Sequence, residues 1–337
     1  MPIIYKKSSG DPNSSNKTQM LPETQCGKQT AEPLSPPPPP KACNAFIDKV
    51  TLVLTPKSPQ DAAELHTIYA PITGDQGCFQ SAGKAVGGYE IAKMIVLQDS
   101  VERVRLDYAF AEGKATGIRL DFNPSKAGLE GLQNLHGILS TIINGGLSRF
   151  IRDANISRLD IAVDISGLRM SKMLFVQDST ASVFQWKSNG KLQTYQLGKV
   201  KGNLTQVYNK SAQLAAKGLA KPALPTVRVE RRMKALKRKL TSLGLLANPF
   251  KGMFIYSELP GCPPGEIKQD YIWQLFQDSA EKRGLEVALA LLPKNKRTMY
   301  RQHLANFKPI WWNPDKIWVG WLAYLEQTQL ANPKSWK

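Results

Sequence analysis

Apolar positions recur along this chain in two rhythms, a two-residue alternation and a three-to-four-residue spacing, and the switches between them mark its elements. The run AFIDKVTLVLT (45–55) is dense in β-branched and aromatic side chains and stops at Pro56, which predicts a strand. PQDAAELHTIY (59–69) has the spacing of a helix. Three further strands are predicted from GGYEIAKMIVL (87–97), VERVRLDYAF (101–110) and TGIRLDFNP (116–124), each bounded by Gly, Asp or Pro. Leu129, Leu132, Leu135, Ile138, Leu139 and Ile142 then line one side of an amphipathic helix over 126–143, ended by Gly145 and Gly146.

Alternation returns in NISRLDIAVDIS (155–166), SVFQWKS (182–188), KLQTYQLG (191–198), NLTQVYNK (203–210) and PTVRVERRMK (225–234). Strands, a long helix and strands again predict an α+β fold, a largely antiparallel sheet with helices packed on one face. Beyond Leu240 helical spacing dominates, around Tyr271 to Ala290 and Ile317 to Leu330, with the basic stretch PKNKR (293–297) read as a loop. The expected organisation is a tail over 1–43, a sheet domain over 44–240 and a smaller, mainly helical domain over 241–337.

Composition adds a partner. Residues 1–43 are rich in Ser, Asn, Gln, Thr and Pro and end in the run Pro36 to Pro40, which favours polyproline II and builds no core. The tail is expected to be a disordered arm, serving as a linker or as a ligand for an SH3-like domain. No apolar run reaches the roughly 18 residues of a membrane span, and the N-terminus lacks a secretory pattern, so a soluble cytoplasmic protein is expected. Cys26, Cys43, Cys78 and Cys262 are scattered and suggest no zinc site. Forty-five Lys and Arg against 27 Asp and Glu, a net charge of +18, point to a polyanion, with nucleic acid ahead of an anionic membrane.

The candidate chemistry lies on three strands. In RLDIAVD, alternation places Arg158, Asp160, Ala162 and Asp164 on one face. A half-buried strand with a polar outer face explains such a pattern, yet two Asp inside an otherwise apolar strand also break a local rule, as functional sites do. In PTVRVERRMK, Arg228 and Glu230 share a face. Asp160, Asp164 and Glu230 would together suit Mg²⁺ or Mn²⁺, which prefer carboxylate oxygens. NLTQVYNK adds Tyr208, with Lys210 two positions on, expected on the same side of the strand. A phenol is a weak nucleophile that a polarised phosphate and a nearby ammonium would assist, though a strand tyrosine is more commonly a packing residue.

FIDKVTLVL, RLDIAVD, YQLG followed by VYNK, and VRVERRMK, in that order over about 44–235, resemble the Rep_trans family of plasmid and phage replication initiators. The resemblance implies a relaxase-like nicking and joining enzyme that acts as a homodimer on a replication origin, as a hairpin or single strand, with a host helicase. It implies that Tyr208 is the nucleophile, forming a 5′-phosphotyrosine link, that Asp160 and Glu230, with Asp164, hold the divalent metal, and that Lys210 contacts the phosphate or phenolate. His66, His136 and His303 are isolated, so the histidine-pair motif of other nicking enzymes is absent.

The segment 228–239 carries Arg228, Arg231, Arg232, Lys234, Lys237, Arg238 and Lys239 against the single Glu230. These residues and Arg158 are candidate phosphate contacts, each neutralised phosphate releasing counterions, although a plain solvated face would read the same way. Trp311 and Trp312 beside basic residues suit either base stacking or core packing. Two other functions fit the same charge, a non-catalytic DNA-binding repressor or partition protein and an RNA-binding protein.

Overall fold

A computed structural model describes residues 38–74, 77–98, 100–177, 183–188, 190–199, 202–265 and 267–336. Most of the proline-rich arm lies outside the described residues. Its last part does not: Lys41–Ala42 forms strand β1, antiparallel to Ile165 and Ser166 of a later strand, so the arm gives way to sheet before residue 44. Gly167, at φ +82, lets the chain turn where Pro38 and Pro40 pass within van der Waals contact of its Cα hydrogens.

The remaining strands are β2 (Phe46–Leu54), β3 (Phe79–Ser81), β4 (Ile91–Val96), β5 (Arg103–Ala111), β6 (Lys114–Phe122), β7 (Asn155–Ser166), β8 (Leu174–Gln177), β9 (Val183–Ser188), β10 (Lys191–Gly198), β11 (Leu204–Asn209), β12 (Thr226–Lys234) and β13 (Met253–Tyr256). Ten of them form one antiparallel sheet in the order β3-β4-β5-β6-β2-β7-β12-β11-β10-β9, to whose β7 the short β1 adds. β13 and β8 make a separate antiparallel pair. The architecture is the α+β arrangement that the alternation predicts, with a large antiparallel sheet.

Helices α1 (Pro59–His66), α2 (Tyr69–Thr73), α3 (Pro124–Ser140) and α4 (Gly146–Asp153) follow the first strands. The expected helix over 126–143 starts earlier because Asn123 caps it, its side chain accepting from the Lys126 N–H at 3.0 Å. It is interrupted at Gly128, which has φ 65, and this leaves Leu129 partly exposed while Leu132, Leu135 and Leu139 are buried. Gly145 ends no simple run: in a left-handed conformation it opens α4, a helix that the pattern did not mark. The apolar side chains of the sheet, among them Val50, Leu52, Leu120, Leu159, Ile161 and Val229, join those of α3 and α4 in one buried cluster.

Beyond α5 (Lys210–Ala216), the C-terminal part contains α6 (Asp270–Arg283), α7 (Leu285–Ala290), α8 (Lys294–Asn306), α9 (Pro314–Val319) and α10 (Trp321–Thr328). The basic stretch 293–297, expected as a loop, opens α8 with Pro293 as its cap. The tail of the chain packs into the sheet's own core: Trp312, Ile317, Trp321, Leu325, Leu330 and Trp336 belong to the same buried cluster as Val50 and Leu159. Trp321 donates to the Leu243 carbonyl at 2.9 Å and Trp312 to that of Met253 at 2.9 Å, so each buried indole N–H is satisfied and Trp312 is a packing residue. α6, α7 and α8 form a second cluster with β8 and Tyr256 of β13, around Trp273, Phe276 and Tyr300. A chain ended near residue 240 would lose these six side chains and also Leu243, Phe250, Met253 and Ile255 from the main core. Among the described residues no helix is long and apolar enough to cross a membrane.

Candidate functional site

The face of the sheet opposite the helices is polar, and strand register assembles it. Asp164 lies opposite Arg228, Asp160 opposite Arg232, and Glu230 opposite Ala162, so Glu230 falls between the two aspartates across the β7–β12 ladder. On the other side of β12, Tyr208 lies opposite Arg228 and Gln206 opposite Glu230. Tyr208, Asp160, Asp164, Glu230, Arg228, Arg232 and Arg158 therefore share one face, as alternation implies.

A residue the alternation had not singled out completes the group. β2 shifts register between Ile47 and Lys49, and the irregularity re-aims the Asp48 side chain at this face. Arg228 donates to Asp48 at 2.5 Å and grips Asp164 with two bonds of 2.6 and 2.8 Å. Asn123 also donates to Asp48, at 3.2 Å. The signal in the sequence was an Asp inside a strong strand, the same broken rule that pointed to Asp160 and Asp164. Arg158 pairs closely with Asp160, and Arg232 bridges Asp160 at 3.3 Å and Glu230 at 3.1 Å.

The ion pairs form two groups, Arg228 with Asp48 and Asp164, and Arg158 and Arg232 with Asp160 and Glu230. Burial first, and then the neighbouring Asp160 charge, raise the pKa of Glu230 to about 7, so that near neutrality it is partly protonated. Two buried carboxylates, one kept protonated by the other, form a donor pair that suits a hard divalent cation, which would relieve the same repulsion. Asp164 differs, because both its oxygens are occupied by Arg228. Among the described residues, no three acidic, His or Cys groups stand close enough together to hold an ion.

Tyr208 is almost fully buried at 7 % exposure. Burial raises its phenol above the ordinary range, while Arg228 across the strand works in the opposite direction. Lys210 is not on the strand: β11 ends at Asn209, whose side chain caps α5 by accepting from the Ala212 N–H at 3.0 Å, and Lys210 is the first helical residue. Its ammonium nevertheless lies 6.0 Å from the centre of the Tyr208 ring and donates to Gln213 at 2.8 Å. Burial holds that ammonium below its usual range.

The basic candidates separate into three groups. Arg158, Arg228 and Arg232 serve the carboxylate network described above. Arg231 points to the opposite face, where it donates to Thr205, and its buried Nε has no hydrogen-bond partner among the described residues. Lys234 ends β12, and beyond it Lys237 and Arg238 lie exposed on an irregular loop in which Ala235 and Lys237 have positive φ. Of the histidines, His66 bonds the Tyr108 hydroxyl at 2.6 Å and His303 the Cys262 carbonyl at 2.9 Å, while His136 sits against the Trp336 ring. A cleft of about 630 Å³ near Gln193, Asn209 and Ser211 adjoins the strand ends without reaching the carboxylates.

No protein-family model matches the chain, and no curated protein is significantly similar to it in sequence. A solved structure, that of a rolling circle replication initiator protein from Geobacillus stearothermophilus, is similar over 73 % of this chain and 98 % of that one, at 13 % identity and a TM-score of 0.38. Likeness at that level defines neither the fold nor the activity of this chain.

Proposed function

We propose that the protein initiates rolling-circle replication, binding an origin and nicking one DNA strand through Tyr208. The observation that carries this reading is the position of Tyr208 on the polar face, directly across from Arg228, which in turn holds Asp164 and Asp48. The order of the sequence motifs and the net charge of +18 support it. Tyr208 Oη attacks the scissile phosphorus as the bond from phosphorus to the 3′ oxygen breaks. The phenolic proton leaves to water, and the released 3′ oxygen takes up a proton to become a hydroxyl that a polymerase can extend. Arg228 favours the phenolate as it forms, and Lys210 offsets charge on the phosphate. Asp160 and Glu230 would hold a Mg²⁺ or Mn²⁺ ion, whose chemistry when bound is to polarise the phosphate. Asp164, held by Arg228, positions that arginine between Tyr208 and Asp48. A homodimer, a hairpin or single-stranded origin and a host helicase complete the proposal.

Incubation with single-stranded origin DNA and Mn²⁺ tests it. The wild type should yield a covalent protein–DNA adduct, and Tyr208→Phe should bind the DNA with unchanged affinity and form none. An adduct from the Phe variant would reject Tyr208. A second reading has its own support, because every carboxylate of the network already has a guanidinium partner. Such a face also suits a non-catalytic DNA-binding protein, and that reading prevails if tight DNA binding comes with no adduct at any Mn²⁺ concentration.

A further inference from the structure

Two large aromatic side chains on the edge strand β9 are turned to water. Phe184 is 56 % and Trp186 60 % exposed. Scattered apolar side chains at a surface need no explanation, but these two share a face, two residues apart and so about 7 Å along the strand. Register carries that face straight to the candidate site. Trp186 lies opposite Thr194, Thr194 opposite Tyr208, and Tyr208 opposite Arg228. Phe184 lies opposite Gln196, Gln196 opposite Gln206, and Gln206 opposite Glu230. Two strand spacings, about 10 Å, separate the aromatics from the Tyr208 and Gln206 positions. The row between them is Thr194 and Gln196, which like Gln206 are neutral side chains able to donate to and accept from base edges.

Charge selects the occupant. From Val183 to Lys217, which covers these strands, their turns and α5, the chain carries six lysines and neither Asp nor Glu, so the segment has a positive balance and no carboxylate of its own to repel an anionic backbone. Aromatic faces on a sheet bordered by lysines match a single nucleic-acid strand, whose bases stack and whose phosphates need cations.

We infer that Phe184 and Trp186 form a stacking platform for unpaired bases of a single DNA strand, laid across β9, β10 and β11 toward Tyr208. The platform rests on the proposed function for its direction and substrate, but the stacking itself requires no cleavage.

The test therefore uses full-length protein carrying Tyr208→Phe, with fluorescence anisotropy on an oligothymidylate of about twelve nucleotides, within the usual site size of single-strand binders. An abasic oligomer of equal length is the control. Trp186→Ala and Phe184→Ala should each weaken oligothymidylate binding about 5- to 150-fold and leave abasic binding unchanged. Trp186→Phe should restore most of the loss, and Trp186→Leu should not. Equal losses on both oligomers, or none on either, overturn the platform. Unchanged binding with a shift in sedimentation on Trp186→Ala also overturns it, assigning the pair to a contact between copies of the chain. If base-dependent binding holds while the wild type forms no adduct with Mn²⁺, the platform stands and the nicking reading falls.

Discussion

On β5 and β6, Arg105 and Arg119 both hold Asp107, while Arg119 and Lys49 hold Asp121. On β2, β7 and β12, further along the same face, Arg228 holds Asp48 and Asp164, while Arg158 and Arg232 hold Asp160 and Arg232 also holds Glu230. Both halves are written with the same short pattern, Arg-x-Asp or Arg-x-Glu, at Arg105, Arg119, Arg158 and Arg228. The first half has three cations for two carboxylates and the second has three for four. In the first half each carboxylate has two cations, whereas in the second Asp48 and Asp164 depend on Arg228 alone, opposite Tyr208. Charge balance, more than the motif, separates an ordinary face from a candidate site.

The comparison breaks most visibly at Arg228. Arg228→Leu leaves Asp48 and Asp164 without their shared cation, and removing one partner of a buried pair should destabilise the fold by about 3–5 kcal/mol. Arg119→Leu leaves Asp107 with Arg105 and Asp121 with Lys49, and should cost clearly less. Urea denaturation of both variants measures this, and equal losses would make the two halves equivalent.

Glu230 supplies a pH signature. Because the folded protein raises its pKa to about 7, the folded state holds a proton that the unfolded chain releases above the ordinary Glu range. Its stabilising contribution is complete below about pH 4.5 and is lost as pH rises through about 7. The stability of Glu230→Gln relative to wild type should therefore increase across that window, by on the order of 3 kcal/mol. A wild-type-to-Gln gap that stays constant from about pH 5 to about pH 8 would refute the raised pKa.

The smallest effect sharpens the contrast between paired and exposed cations. Lys237 and Arg238 lie exposed, apart from the network, so replacing both with Ala should reduce the slope of log affinity against log salt on single-stranded DNA by about 1.4, roughly 0.7 per phosphate. Stability should hardly change. An unaltered slope would remove this loop from the DNA contacts.

Much of this was legible in the chain itself. Alternation located most strands of the large sheet and put Arg158, Asp160, Asp164, Arg228, Glu230 and Tyr208 on shared faces, because side-chain direction in a strand is a local property of two-residue period. Poor strand formers inside strong strands marked the acidic positions. Capping and breaking residues did less well: Gly128 and Gly145 change backbone direction through positive φ, and α4 begins where the helical pattern was expected to end. β8 and β13 were missed because four apolar residues in a row have no readable period.

What only the tertiary structure decided is which strands become neighbours and what charge accumulates where they meet. Asp48 is far from Arg228 in the chain and reaches it through a register irregularity in β2. Lys210 left the strand because Asn209 caps a helix, an exchange of local hydrogen bonds that alternation does not register. The raised pKa of Glu230, like the row that runs from Trp186 to Tyr208, is a property of strand order. Electrostatic energy sums over neighbours in space, and the pairing of β2, β7, β12, β11, β10 and β9 is what made these residues neighbours.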